Sequence, residues 1–267
     1  METLGVIGNI SRDRAIYPDG RHVELLGGAA LHVALAATQA GLPSAPVAVI
    51  GSDLGWIRDD VRLAAMDLSC VEVTCGRSCS FRLTYDESGH LTGTGSSFGV
   101  AAQITRHALE VLGRHQSYHV CCRRPLDVAV VLGHLVGAGI PFSVDFHLAS
   151  AAVIMPAADT VIAHARVVFV NAAEFAVLRR VTDPGRLRMI VISDGPRPVM
   201  MLRSGRVVAS IIPPEASVIE VTGAGDTLAG TFLAARARGL DDQPALEAAV
   251  SAAAEAVSGP GLVIAAQ

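Results

Sequence analysis

The chain of 267 residues contains no lysine; all 21 of its basic side chains are arginine. Schiff-base catalysis at a side-chain amine is therefore excluded. A P-loop and a protein-kinase site are excluded as well, since both place a lysine on the nucleotide phosphates. Any phosphate chemistry must rely on backbone amides, arginine or a metal. Charge is also sparse, at 17% of residues with a formal net charge of −4. Nothing here supplies a basic field for a nucleic-acid backbone, so no nucleic-acid partner is expected. No segment approaches the roughly 20 clean apolar residues of a membrane span. The opening "METLGVIGNISRD" lacks the basic and long apolar regions of a leader. The expectation is a cytoplasmic protein that does not enter a membrane. Five cysteines, Cys70, Cys75, Cys79, Cys121 and Cys122, form no common zinc spacing. They read as buried free thiols of a reducing compartment.

What is present is apolar and periodic. Half the residues are hydrophobic, enough for a sizeable core. "LGVIG" (4–8) and "APVAVIG" (45–51) read as buried strands, and "GGAALHVALAATQAG" (27–41) as a helix with glycine at both ends. Residues 55–68 carry helical spacing, whereas 71–93 break into short alternating segments. From 104 onward helices and strands alternate: helix 125–137, strand 140–146, a helix around 156–164, strand 166–171, helix 172–180, strand 189–194. Strands near 198–202 and 206–211 precede helices near 224–238 and 242–257. This alternation predicts an α/β fold, a doubly wound, mostly parallel sheet with helices on both faces. The whole of 1–267 is expected to be one domain, with about 13–26 and 71–93 forming a small β lid. Ligands of such sheets bind beyond the carboxyl ends of the strands. Asn9, Asp13, Arg123, Arg124, Asp145, His147, Asn171 and Ser193 to Gly195 are polar or permissive residues at those ends.

The stretch "VTGAGDTLAGTFLA" (221–234) opens an apolar helix with two glycines and a carboxylate. A helix N-terminus has unpaired amides and about half a positive charge. Glycine lets a phosphate approach those amides closely. Gly223, Ala224 and Gly225 would form such an anion hole, with Asp226 in the first turn. A carboxylate there is useful if it takes a proton from a hydroxyl that attacks the held phosphate. In isolation the same four residues could equally be a turn and a dipole-complementing aspartate.

The surrounding motifs decide between these. "GNISRD" (8–13), the paired Gly27 and Gly28, "GSDLG" (51–55), "IPFSVDF" (140–146), "NAAEF" (171–175), "VISDG" (191–195), the glycine stretch and "AVSGPG" (256–261) occur in the order found in one family. Over nearly its whole length the chain resembles the PfkB/ribokinase family of carbohydrate and nucleoside kinases. The resemblance implies a ribokinase-like fold and transfer of the γ-phosphate of ATP to a hydroxyl, usually a primary one. It implies Asp226 as base, with the Gly223–Gly225 amides as anion hole. Asp13, Gly27, Gly28, His32, Arg123 and Asp145 would face the acceptor. Asn171 and Glu174 would position hydrated Mg2+, while Ser193, Gly195, Thr222 and Gly225 would meet the nucleotide. A sugar, sugar derivative or nucleoside is the implied substrate, and relatives whose lids pair suggest a homodimer.

Several residues depart from the family pattern. Glu220 and Val221 stand where Asp-Thr is common, which leaves a monovalent cation such as K+ open. His32 stands where ribokinase-like members place an asparagine that reaches the sugar. Arg123 and Arg124 replace small residues. They read either as a solvated turn before helix 125–137 or as a reader of a carboxylate or phosphate on the acceptor. The departures keep a second reading in play, a catalytically weak relative that senses a metabolite. A dinucleotide-dependent oxidoreductase is disfavoured because "GNISRD" lacks G-x-G-x-x-G after the first strand.

Overall fold

A computed structural model describes residues 2–87, 91–217, 222–259 and 261–264. The strands run in chain order as β1 (Leu4–Ile7), β2 (Ser11–Ile16), β3 (His22–Gly27), β4 (Ser44–Gly51), β5 (Val71–Thr74), β6 (Ser80–Tyr85) and β7 (Leu91–Ser97). The series continues with β8 (Ser117–Cys122), β9 (Phe142–Phe146), β10 (Val168–Asn171), β11 (Met189–Asp194), β12 (Arg197–Arg203) and β13 (Arg206–Ile211). The helices are α1 (Ala29–Gln39), α2 (Ile104–Val111), α3 (Val128–Gly137), α4 (Leu148–Ile162), α5 (Ala172–Val181), α6 (Ala224–Ala237) and α7 (Asp242–Ala256).

Among the described residues, nine strands form one sheet in the order β13-β12-β11-β10-β9-β8-β1-β4-β5. The run from β11 to β5 is parallel, and β12 and β13 close one edge antiparallel. β1, β4 and β9 are buried along their whole length, as strands covered on both faces must be. Side chains alternate between two cores. On β8, Tyr118, Val120 and Cys122 face the layer of α2, α3, α4 and α5, while Cys121 faces the layer of α1, α6 and α7. A four-stranded sheet, β3-β2-β6-β7, stands apart from the large one.

Three expectations change. Residues 71–74 do not belong to the small sheet: β5 pairs in parallel with β4 and forms the edge of the large sheet. Its Val71 is buried in the core, which a lid strand could not offer. The helical spacing of 55–68 becomes two short 3-10 turns, Ser52–Asp59 and Val61–Leu63. The Asp60 carboxylate accepts the Arg62 amide there and ends the first turn, an aspartate competing locally with helix propagation. The helix read from about 156 begins at Leu148, with Pro156 inside it rather than at its start.

α1 and α6 approach closely at Gly230. A β-carbon on Gly230 would lie 2.4 Å from the Val33 carbonyl oxygen and 2.9 Å from the Ala36 β-carbon. Glycine therefore lets the two backbones touch. Gly230→Val is expected to lower stability by about 1–3 kcal/mol or more, the cost of overpacking a core. Urea unfolding of the variant checks this; an unchanged midpoint would contradict the packing role.

Candidate active site

Because β1, β8, β9, β10 and β11 are parallel, their carboxyl ends lie along one edge. A cleft of about 560 Å³ opens there, within the range of small-molecule sites. The large sheet and its helices contribute Asn9, Gly28, His32, Arg123, Asp145, Asn171, Glu174, Ser193, Thr222, Gly223, Gly225 and Asp226 to its wall. The small sheet contributes Asp13, Phe81, Leu83 and Thr94.

At one end stands the start of α6. Gly223 is its N-cap, with φ of 86°, a left-handed conformation that favours glycine. Ala224 begins the helix, and Asp226 is in its first turn. A β-carbon added to Gly225 would meet nothing within 4 Å. The helix therefore presents amides beside a bare patch that a bulky anion can approach. The His32 ring, from the first turn of α1, packs 3.5 Å from where a Gly223 β-carbon would be. Burial lowers the His32 pKa, opposed by the Asp226 carboxylate and aided by Arg123.

Behind Asp226 is a charge network. Arg123 follows β8, and its Nη2 is hydrogen-bonded to Asp145 Oδ2 and lies 3.8 Å from Asp226 Oδ1. Burial opposes its charge, but Asp145 and then Asp226 outweigh that and hold the guanidinium firmly protonated. Asp145, despite burial, is held below the usual carboxylate range by Arg123. Arg123 is thus not a solvated turn residue, and its charge is committed to two carboxylates of the same chain. Arg124 is exposed, and its carbonyl accepts from the Asn9 side chain.

At the other end is Asp13, on β2. Its Oδ1 accepts the Phe81 amide at 3.0 Å and its Oδ2 accepts the Ser11 hydroxyl at 3.0 Å. A β-carbon on Gly27 would lie 2.2 Å from Asp13 Oδ2, so Gly27 makes room for the carboxylate and is not itself part of the cleft wall. Gly28, with φ of 102°, lies against the Asn9 carbonyl. Burial pushes Asp13 up to about 6, partly offset by those two hydrogen bonds.

Asn171 and Glu174 form a capping box at the start of α5. Asn171 Oδ1 accepts the Glu174 amide and Glu174 Oε2 accepts the Asn171 amide, each at 2.9 Å. Both still line the cleft. Burial raises the Glu174 pKa, and the neighbouring Asp145 adds to it. Ser193 lines the cleft, whereas Gly195 lies in the turn to β12 with φ of 57°, outside the cleft wall. Asp53 of "GSDLG" is structural: its Oδ1 accepts both the amide and the hydroxyl of Ser78. Glu220, Val221 and Pro260 lie outside the described residues. The apolar side chains Phe81, Leu83 and Phe98 carry no motif, and only the folded small sheet and the turn after it bring them to the cleft.

The fold is that of the ribokinase-like small-molecule kinases, phosphotransferases with an alcohol group as acceptor. The profile of the pfkB family carbohydrate kinases matches residues 1–267, and the chain belongs to that family. It is 28% identical over 256 residues to a cytidine kinase from Thermococcus kodakarensis, covering 90% of each chain. Among solved structures, a nucleoside kinase from Burkholderia thailandensis in complex with inosine superposes with a TM-score of 0.83 at 20% identity, covering 97% of this chain and 92% of that one. A putative ribokinase II from E. coli in complex with ATP and Mg2+ gives a TM-score of 0.82 at 18% identity, covering 98% and 94%.

The raised pKa of Asp13 has a consequence for stability. The folded protein binds this proton more tightly than the unfolded chain, so the stability associated with it is present below about pH 4 and lost as pH rises through about 6. Asp13→Asn keeps an acceptor for Phe81 and a group for Ser11 without the buried charge. The variant is expected to melt higher than the parent at pH 8 and to match it near pH 4. Thermal melts at the two pH values check this; an equal difference at both would contradict it.

Proposed function

We propose that this protein transfers the γ-phosphoryl group of ATP to a primary hydroxyl of a nucleoside. One observation carries the reading: Asp226 stands beside the bare amide end of α6, in one cleft with the acceptor-facing Asp13. Asp13 and Asn9 would hold the sugar hydroxyls. Asp226 would take the proton of the attacking hydroxyl as its oxygen bonds to the γ-phosphorus and the bond to the β-phosphate oxygen breaks. The amides of Gly223, Ala224 and Gly225 would face the charge on the transferred group. Arg123, held by Asp145, keeps a cation beside Asp226 and fixes where that carboxylate points. Mg2+ would neutralise phosphate charge; Asn171 and Glu174 would hold its waters, and Ser193 and Thr222, which line the same cleft, would meet the nucleotide.

A nucleoside is favoured over a sugar acid or sugar phosphate by the walls. Arg123 is already neutralised by Asp145 and Asp226, so among the described residues the mostly buried cation of the cleft is not free for an anionic substrate, and Arg124 lines the wall only from an exposed position. Phe81, Leu83 and Phe98 give the cleft an apolar surface suited to a base beside a polar end suited to a ribose. The cytidine kinase relative points the same way.

ADP release with Mg2+ and a panel of nucleosides, free sugars, sugar acids and sugar phosphates tests this. Turnover is expected with nucleosides, and Asp226→Asn is expected to lower kcat by about 10²–10⁴-fold, the usual contribution of a positioned base. Turnover with sugar acids alone would overturn the acceptor assignment, and full activity of the variant would overturn the role of Asp226.

Gly225→Ala provides a separate check on the anion cradle. It places a methyl group in open space, so the fold is expected to keep its melting temperature while kcat/KM for ATP falls at least about tenfold. Unchanged ATP kinetics would remove Gly225 from the proposed cradle.

A further inference from the structure

Beneath the floor of the cleft, three side chains that the phosphoryl-transfer reading does not require together converge. β8 and β9 are paired in parallel with Cys121 opposite Asp145 and His119 opposite Ser143. His119 and Cys121 are two residues apart on one strand and so share a face with Asp145. One ligand atom from each of His119, Cys121 and Asp145 lies within 4.8 Å of the others. His119 and Cys121 are fully buried, and Asp145 is 8% exposed.

Two of these atoms lack a partner. His119 Nδ1 is engaged by Ser143 Oγ at 2.8 Å, which fixes the ring and aims Nε2 at Asp145. Nε2 and Asp145 Oδ1 nevertheless stand 3.7 Å apart, too far for a well-formed hydrogen bond, and among the described residues neither has a partner at hydrogen-bond distance, although His119 and Cys121 both lie close enough to favour the Asp145 carboxylate. Buried polar atoms are seldom left so. The gap suits a metal ion instead: two ligands at about 2.0–2.2 Å from one tetrahedral zinc lie roughly 3.3–3.6 Å apart. Asp145 Oδ2 stays with Arg123, and Ser143 orients the histidine, the kind of outer-shell support that metal ligands commonly have. Gly8 leaves space for the thiol, since a β-carbon there would lie 3.2 Å from Cys121 Sγ. The other dense cluster, Glu72, His107 and Glu110, has no such need. His107 already contacts Glu72 and the Cys70 carbonyl, and Arg106 holds both glutamates.

We propose that His119 Nε2, Cys121 Sγ and Asp145 Oδ1 form a buried site for a thiophilic divalent cation of the zinc class, separate from the Mg2+ that accompanies ATP. The nitrogen–sulfur–oxygen set suits zinc and does not suit magnesium, which prefers oxygen ligands alone. Binding would deprotonate the thiol and release its proton to solvent. Thiolate and carboxylate together would balance the ion's charge. Asp145 also lines the cleft, so the ion would enter from that side, and a water would complete its coordination.

The test uses the full chain, reduced and stripped of metal, titrated with Co2+ and then Zn2+. One equivalent of Co2+ is expected to give visible bands of tetrahedral intensity and a near-ultraviolet thiolate-to-cobalt band, both abolished by Zn2+. Cys121→Ser is expected to remove the thiolate band and weaken Zn2+ binding by at least roughly 100-fold, and Ser143→Ala to weaken it about 10–100-fold. Cys75→Ser, at the exposed cysteine, should change neither. X-ray absorption of the unmutated chain with one equivalent of Zn2+ needs no variant, and should show a single sulfur at about 2.3 Å with nitrogen and oxygen at about 2.0–2.2 Å. Absence of the thiolate band, its loss in Cys75→Ser, or a zinc shell with no sulfur or several would overturn the site.

Discussion

The contact between α1 and α6 sets the scale of the cleft. Both helices begin at its edge, α1 at Gly28 with His32 one turn on, and α6 at Gly223 with Asp226. Their backbones touch at Gly230, where no side chain intervenes. That approach brings the His32 ring onto Gly223 and fixes the spacing between the helix end proposed to hold phosphate and the strands whose side chains are proposed to face the acceptor. A larger residue at 230 would separate the two helices along their length and displace one half of the cleft from the other.

The electrostatic frame follows from that geometry. In a chain without lysine, the buried cation of the site has to be arginine. Arg123 lies between Asp145 and Asp226, so each carboxylate is anchored through the same planar group. The arrangement is tolerable in a buried setting because cation and anions are paired rather than isolated.

Part of this was legible in the residues. "VTGAGDTLAGTFLA" pointed to a glycine-led helix start with a carboxylate in its first turn, and α6 begins at Ala224 with Asp226 where that pattern placed it. The regular alternation after residue 104 carried the mostly parallel sheet and the edge on which polar residues gather, but not the strand order. Other features depend on long-range pairing that no local pattern encodes. Whether 71–74 joins the large or the small sheet is decided by the burial of Val71 against β4, not by its own sequence. His119, Ser143 and Cys121 are unremarkable in the chain, and become a cluster only once β8 and β9 are in register. "NAAEF" suggested ligand contacts alone, although N-x-x-E is equally the chemistry of a helix cap, and the structure contains that cap.

The position of Asp13 has a consequence for how the cleft discriminates. This carboxylate belongs to β2, in the small sheet, and is tied through the Phe81 amide to β6 of the same sheet. Asp13, proposed to face the acceptor, and the Phe81 and Leu83 surface beside it thus belong to the same small sheet, while Asp226 belongs to the large one. A small sheet displaced from the large one would carry its carboxylate away, leaving Asp226 facing solvent with no partner to select a hydroxyl. On the proposed reading, recognition and enclosure would be a single event, so water, which cannot bridge the two sheets as a ribose would, would meet an incomplete site.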